Sequence, residues 1–222
     1  MKKVYDTINQ YCVEHELLTN GDGIVIGLSG GMDSVCLLQV LAALRNEWQL
    51  RLVCVHVHHG IRGTAADEDA AFAQRLAAKY NISFRLYEMD IPQLAKEQGL
   101  SEEEAGRNYR YRCFEEVRKE LNFDKIAVAH HRDDQAETVL WQILRGSGLR
   151  GVCGMRAGRA NIIRPLLCLD RQQIEQIVRG NGDGWREDAT NREEKYTRNK
   201  IRNRVFPALY KEIPGLSAQT AV

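Results

Sequence analysis

The chain has 222 residues, 44% hydrophobic and 27% charged, with 31 Lys and Arg against 30 Asp and Glu and a formal net charge of +1. Such a composition suits one folded domain with a sizeable core. It excludes disordered, collagen-like and single-sign nucleic-acid-coating chains, which need a far stronger bias in charge, proline or glycine. The six cysteines (Cys12, Cys36, Cys54, Cys113, Cys153 and Cys168) form no CxxC pair, and several lie in apolar runs. They read as buried free thiols in a reducing cytoplasm, not as a disulfide framework or a zinc site. Met1-Lys2-Lys3 runs on into polar residues, so no signal-peptide core follows, and no apolar stretch approaches the ~20 residues of a membrane span.

Hydrophobic periodicity predicts a helix over 4–18, a strand over 23–28, a helix over 33–45 and a strand over 51–57. A helix over 66–79, a strand over 82–88, a helix over 101–121 and a strand over 125–129 come next. A helix over 134–145, a short strand over 161–163 and helices over 170–179 and 196–206 complete the pattern. Repeated βα units predict an α/β fold, a Rossmann-like sheet of about five parallel strands with helices on both faces. Ligands then bind beyond the carboxyl ends of the strands. Gly180-Asn181-Gly182-Asp183-Gly184 reads as a flexible stretch closing the regular part. After it, Lys195, Arg198, Lys200, Arg202, Arg204 and Lys211 form a basic strip without an acidic residue between them.

Directly after the first strand stands Ser29-Gly30-Gly31-Met32-Asp33-Ser34, with a helix opening at about Asp33. Adjacent glycines admit an anion close to the backbone, and the helix start offers unpaired N–H groups at the positive end of its dipole. Ser29 and Ser34 add hydroxyls. The lysine of a Walker A loop is absent. A plain strand-to-helix turn capped by Asp33 is the competing reading, and the complete hexapeptide after a buried strand outweighs it.

A second cluster follows the strand over 125–129, in His130-His131-Arg132-Asp133-Asp134-Gln135-Ala136-Glu137. Asp134 and Glu137 are three apart and share a helix face. Two carboxylates at the ligand edge of a sheet can hold Mg²⁺, or hold an ammonium group and take its proton. Their face is expected to be solvent-lined, and helix capping by Asp133 or Asp134 explains them without explaining Glu137. Arg107 and Arg110 sit three apart on a helix opened by the capping box Ser101-Glu102-Glu103-Glu104. Arginine forks suit phosphate, although surface pairing with glutamates is the simpler account of Arg110.

The Ser-Gly-Gly-x-Asp-Ser hexapeptide resembles the PP-loop of ATP pyrophosphatases, and within that superfamily the chain resembles the tRNA(Ile)-lysidine synthetase family. The likeness runs through His56-Val57-His58-His59-Gly60-Ile61-Arg62, Glu103 to Tyr111, Ala129 to Thr138, Arg145 to Gly151, Arg164-Pro165-Leu166, Asp188-Ala189-Thr190-Asn191 and Tyr196 to Arg202. His58 and Gly106 depart from the usual pattern. The resemblance implies a carbon–nitrogen ligase that joins L-lysine to C2 of the wobble cytidine in the CAU anticodon of tRNA(Ile), releasing AMP and pyrophosphate. It implies ATP and Mg²⁺ as cofactors, no membrane partner and a cytoplasmic location, and it is compatible with a homodimer. By the same resemblance Asp33, Arg107, Asp134, Glu137 and Arg202 are catalytic. Ser29, Gly30, Gly31, Met32, Asp33, Ser34, His56 and His59 bind the nucleotide, and Asn191, Arg198 and Asn199 face the tRNA or the active site. Asp33 and Asp134 are the implied Mg²⁺ ligands. Family members continue into tRNA-binding domains, so residues 1–210 are expected to be the catalytic domain and 211–222 the start of a linker to a further domain that is absent. Independent tRNA binding is then expected to be weak, with Arg198 and Arg202 contributing to it. Rival readings are another PP-loop activity, such as tRNA thiolation or amide formation, and a non-catalytic adenine-nucleotide module.

Overall fold

The computed structural model describes residues 2–58, 64–148, 153–186 and 200–212. Helix α1 (Lys2–Glu14) precedes β1 (Gly23–Gly27), α2 (Met32–Leu44), β2 (Arg51–His58), α3 (Thr64–Lys79) and β3 (Ser83–Glu88). Next come α4 (Ile91–Gln98), α5 (Glu102–Glu120), β4 (Lys125–Ala127), α6 (Arg132–Leu144), β5 (Gly158–Arg159) and β6 (Ile162–Ile163). A 3₁₀ turn (Pro165–Cys168), α7 (Arg171–Gly180), a π-helical turn (Ile201–Val205) and α8 (Phe206–Glu212) follow.

The sheet runs β3-β2-β1-β4-β6-β5. Every neighbouring pair is parallel except β5 with β6. The sequence predicts about five parallel strands; the sixth is a two-residue edge strand folded back antiparallel through a turn in which Ala160 takes φ 52°. The central strand β1 is buried on both faces, as a parallel sheet covered by helices requires. Its side chains alternate between two cores. Ile24 and Ile26 pack with Leu37, Leu41, Leu76, Ile174 and Ile177 from α2, α3 and α7. Val25 packs with Ile91, Tyr109, Phe114 and Val117 from α4 and α5. Gly27 is required at the end of β1, because a Cβ there would stand 2.7 Å from Phe114 Cζ.

Three expectations need correction. Helix α4 was not foreseen, although Asp90 caps it by accepting from the Gln93 N–H at 3.0 Å, Pro92 stands in its first turn and Gly99 ends it at φ 64°. The Gly180–Gly184 stretch is a clasp: the Asp183 carboxylate is nearly buried and accepts from Gln39 Nε2 (2.7 Å), Tyr80 Oη (2.5 Å) and Lys79 Nζ. Asn181 adds bonds to Tyr5 Oη (2.9 Å) and Gln39 Oε1 (3.0 Å). Of the six thiols, Cys12, Cys36, Cys54 and Cys113 are buried, but Cys168 is half-buried and Cys153 is exposed. The predicted helix over 196–206 is described from Lys200 onward, where it is a π turn running into α8.

From β1 the chain moves one way along the sheet to β2 and β3, and β4 and β6 lie on the other side. The order reverses between β1 and β4, and a crevice opens there beyond their carboxyl ends. The glycine hexapeptide follows β1 and His130-His131 follows β4, so the topology alone brings the two candidate motifs together.

Candidate active site

The loop after β1 is wound around two hydroxyls. Ser34 Oγ accepts from the Gly30 N–H at 3.1 Å and from Ser29 Oγ at 3.1 Å, and it donates to the Gly31 carbonyl at 2.8 Å. Gly30 holds φ 89°, a left-handed conformation that favours glycine. Gly31 is the N-cap of α2, so the first-turn amides of Met32, Asp33 and Ser34 open onto the crevice without intrahelical partners. At the root of the loop, the nearly buried ring of His56 places Nδ1 2.8 Å from the Leu28 carbonyl. That bond assigns the proton to Nδ1, and burial lowers the pKa of the ring, keeping it neutral. His56 therefore braces the residue before Ser29.

Across the crevice, His131 is a buried hub among carboxylates. Its Nε2 lies 3.7 Å from Asp33 Oδ2 and 3.5 Å from Asp134 Oδ2, and its Nδ1 lies 3.4 Å from Asp133 Oδ2. Asp134 Oδ2 also accepts from the His131 N–H at 3.0 Å, which is the capping role anticipated for this residue, while Asp133 accepts from the Arg171 N–H at 3.0 Å. Glu137 is only 2% exposed, so the expected solvent-lined face is instead a buried one. The side chain that compensates its charge comes from 65 residues away. Arg202 donates from Nε to Glu137 Oε1 (2.5 Å) and from Nη2 to Asp134 Oδ1 (2.8 Å) and Glu137 Oε2 (3.1 Å). Its guanidinium is thus held against the acid pair, beside the residues with which the sequence grouped it.

These charges pull the pKa values in opposite directions. Burial raises the carboxyl of Asp33, with His131 opposing, and its Oδ1 is buried without a hydrogen-bond partner. Burial alone would lower His131, yet the close carboxylates of Asp133, Asp134 and Asp33 outweigh it and raise the imidazole above its ordinary value. A histidine raised on folding stabilises the native state fully below its unfolded pKa, and that contribution is lost as pH rises through the folded value. In metal-free buffer, urea denaturation from about pH 6 upward should therefore show a pH-dependent loss of stability that His131→Asn removes. An NMR titration of His131 should move towards the ordinary value in Asp133→Asn, and an unshifted titration there would contradict the assigned contact.

Of the residues singled out from sequence, Asp33, Asp134, Glu137 and Arg202 converge here; Ser29, Gly30, Gly31 and Ser34 form the loop that carries Asp33, the Met32 side chain packs in the core and His56 lies behind the loop. Arg107 stands apart from the acid hub: it is exposed on α5 with its guanidinium 5.6 Å over the Tyr111 ring. His59, Asn191, Arg198 and Asn199 lie outside the described residues. Sequence reasoning missed the hub role of His131. It also missed Arg164, whose Nε donates to His130 Nδ1 at 3.2 Å just beyond β6. Position after a strand at the sheet's switch point is the signal that could have found His131, and position after the neighbouring strand β6 the one for Arg164.

A glycine loop at a helix N-terminus, opposite acidic and basic side chains at the switch point of a parallel sheet, is the architecture of a nucleotide-binding α/β domain. A family model described as the PP-loop domain matches residues 2–209, and the chain belongs to that family. It is 48% identical over 207 residues to a tRNA(Ile)-lysidine synthase of Caldanaerobacter subterraneus subsp. tengcongensis, covering 93% of this chain and 44% of that relative. A tRNA(Ile)-lysidine synthase of Clostridium perfringens is 43% identical over 207 residues, covering 93% of this chain and 43% of the relative. The chain thus spans less than half the length of these curated relatives. Among solved structures, the U34-tRNA thiolase NcsA of Methanococcus maripaludis superposes with a TM-score of 0.76 at 18% identity, over 99% of this chain and 76% of the other, a likeness of fold. No helix among the described residues is long and apolar enough to cross a membrane.

Proposed function

We propose that this domain carries out the chemistry of a tRNA(Ile)-lysidine synthetase in the cytoplasm. ATP adenylates the C2 oxygen of the wobble cytidine in a CAU anticodon and pyrophosphate leaves; the ε-amine of L-lysine then attacks C2 and AMP departs. The observation that carries the reading is a buried acid pair already holding a cationic side chain, separated by one histidine from the aspartate of the PP-loop. A lysine ammonium is a cation of the kind this pair binds. Each carboxylate has about four lone-pair positions, so Asp134 and Glu137 can accept from the ammonium while Arg202 stays attached. The amine is nucleophilic only after losing a proton, and in this reading Glu137 takes it. On the opposite wall, the first-turn amides of α2 bind the leaving pyrophosphate and stabilise the charge that develops on it.

Mg²⁺ fits the residues present. The orphaned Oδ1 of Asp33 is a hard donor in need of a partner, and Asp33 and Asp134 approach the same nitrogen of His131, so their oxygens converge. These two carboxylates would hold the ion, which needs few protein ligands when phosphates supply the rest. When bound it would offset the charge of the departing pyrophosphate.

Thiolation, the rival suggested by fold alone, calls for reactive thiolates. Here burial pushes the Cys12 and Cys54 thiols up to about 12. The test supplies this chain with ATP, Mg²⁺, radiolabelled lysine and an isoleucine tRNA transcript carrying CAU. Pyrophosphate release that requires the tRNA, together with label in the RNA, is expected. Release without tRNA, or release with no lysine incorporated at any tRNA concentration, would reject the assignment.

A further inference from the structure

The wall of the PP-loop opposite the acid hub is formed by α3 and by the residues after the Asp183 clasp. Over Gly30, the place a Cβ would occupy lies 3.4 Å from Phe72 Cδ1, 3.8 Å from the Asp69 carbonyl and 3.8 Å from Arg186 Cγ. The backbone N–H of Arg186 donates to the Gly30 carbonyl at 2.9 Å. Its guanidinium forks across two successive acids of α3, with Nε 2.7 Å from Asp69 Oδ1 and Nη2 2.7 Å from Glu68 Oε2. Asp183, three residues earlier, is locked to α2 and to the end of α3, so the strap has a fixed origin.

A loop that receives a polyphosphate has two carboxylates on its flank. Uncompensated, they would repel the ligand over a distance within one Debye length, where screening by salt is incomplete. We infer that Arg186 is a nucleotide-positioning residue: its side chain offsets one of the two charges of Glu68 and Asp69 beside the PP-loop, while its main chain pins Gly30 in the conformation that receives phosphate. The inference rests on the reading of this loop as an ATP site. It adds a residue outside the hexapeptide that sets nucleotide affinity through its neighbours and not through contact with the reacting atoms.

The two parts of the role separate experimentally, because Arg186→Gln removes the charge and keeps the main-chain bond to Gly30. Calorimetric binding of ATP with Mg²⁺ to the whole chain should show Kd rising on the order of tenfold in Arg186→Gln, with a penalty that shrinks as salt is raised. Adding Glu68→Gln and Asp69→Asn to Arg186→Gln should bring Kd back to the wild-type value or below it, since the trio carries a net −1 in wild type, −2 in the single variant and no charge in the triple one. Arg186→Lys should retain most of the affinity. Thermal melts establish that each variant is folded. Wild-type affinity in Arg186→Gln would overturn the inference alone, as would a triple variant that stays as weak as the single one, because the arginine would then serve the phosphates directly or the packing only. Failure of the wild-type chain to bind ATP at all would overturn the nucleotide reading and this inference together.

Discussion

Glu137→Gln is expected to lower lysine transfer by about 10²- to 10⁴-fold, the range a positioned acid–base group contributes. Pyrophosphate release driven by tRNA and ATP should change only a few-fold, because the PP-loop lies on the other side of His131. The exchange preserves volume and one carbonyl acceptor, so the Arg202 Nε bond at 2.5 Å has a neutral replacement, but the charge that binds the ammonium is gone. Stability should fall as well. Glu137 is 2% exposed, and a charge-assisted hydrogen bond contributes about 1.5–3 kcal/mol. Arg202 remains paired with Asp134 and is 31% exposed, so the expected loss is about 1–2 kcal/mol, a melting point lower by several degrees. Wild-type lysine transfer in a folded Glu137→Gln chain would leave the acid pair as a structural anchor for the π turn and nothing more.

The parallel sheet was legible because buried strands leave a plain signature: Ile24-Val25-Ile26 and Val53-Cys54-Val55 are continuous apolar runs bounded by polar turns. The long helices were legible through period and caps, and Ser101 does accept from the Glu104 N–H at 3.2 Å as its capping box implies. Helix α4 carried equally good signals in Asp90, Pro92 and Gly99, and only its eight-residue length hid it between a strand and a longer helix. Strand β5 could not be read, because Gly158-Arg159 is exposed and carries neither an apolar nor a β-branched side chain, unlike the Ile162-Ile163 pair of β6.

What sequence conveys poorly is long-range compensation. Glycines around Asp183 suggest a loose segment, and nothing local indicates that Gln39, Lys79 and Tyr80 converge on its carboxylate from more than 100 residues away. Spacing likewise places Asp134 and Glu137 on one face but cannot say whether water or an arginine lies over it. In the sequence Arg202 is one member of a basic strip, and the strip's spacing gives no sign that it reaches two buried acids.

Asp33→Ala should abolish pyrophosphate release, with a fall of about 10³-fold or more expected when the one PP-loop carboxylate that could hold a cation against the phosphates is removed. The fold should survive it. Asp33 is the second residue of α2, where an acidic side chain favours the helix dipole by about 0.3–1 kcal/mol. Against that loss, the substitution removes a carboxylate whose Oδ1 is buried without a hydrogen-bond partner and whose pKa burial has raised. The two terms oppose each other, and the melting temperature should move by no more than a few degrees in either direction. Removing one of the three aspartates around His131 should also lower the imidazole pKa, visible in the same NMR titration that reports on Asp133→Asn. Loss of pyrophosphate release with a near-normal melt and a lowered His131 titration identifies Asp33 as the electrostatic link between the loop and the acid hub. A folded Asp33→Ala chain that turns over ATP normally would instead make the residue a helix-terminus acid and sever the loop from the chemistry proposed for it.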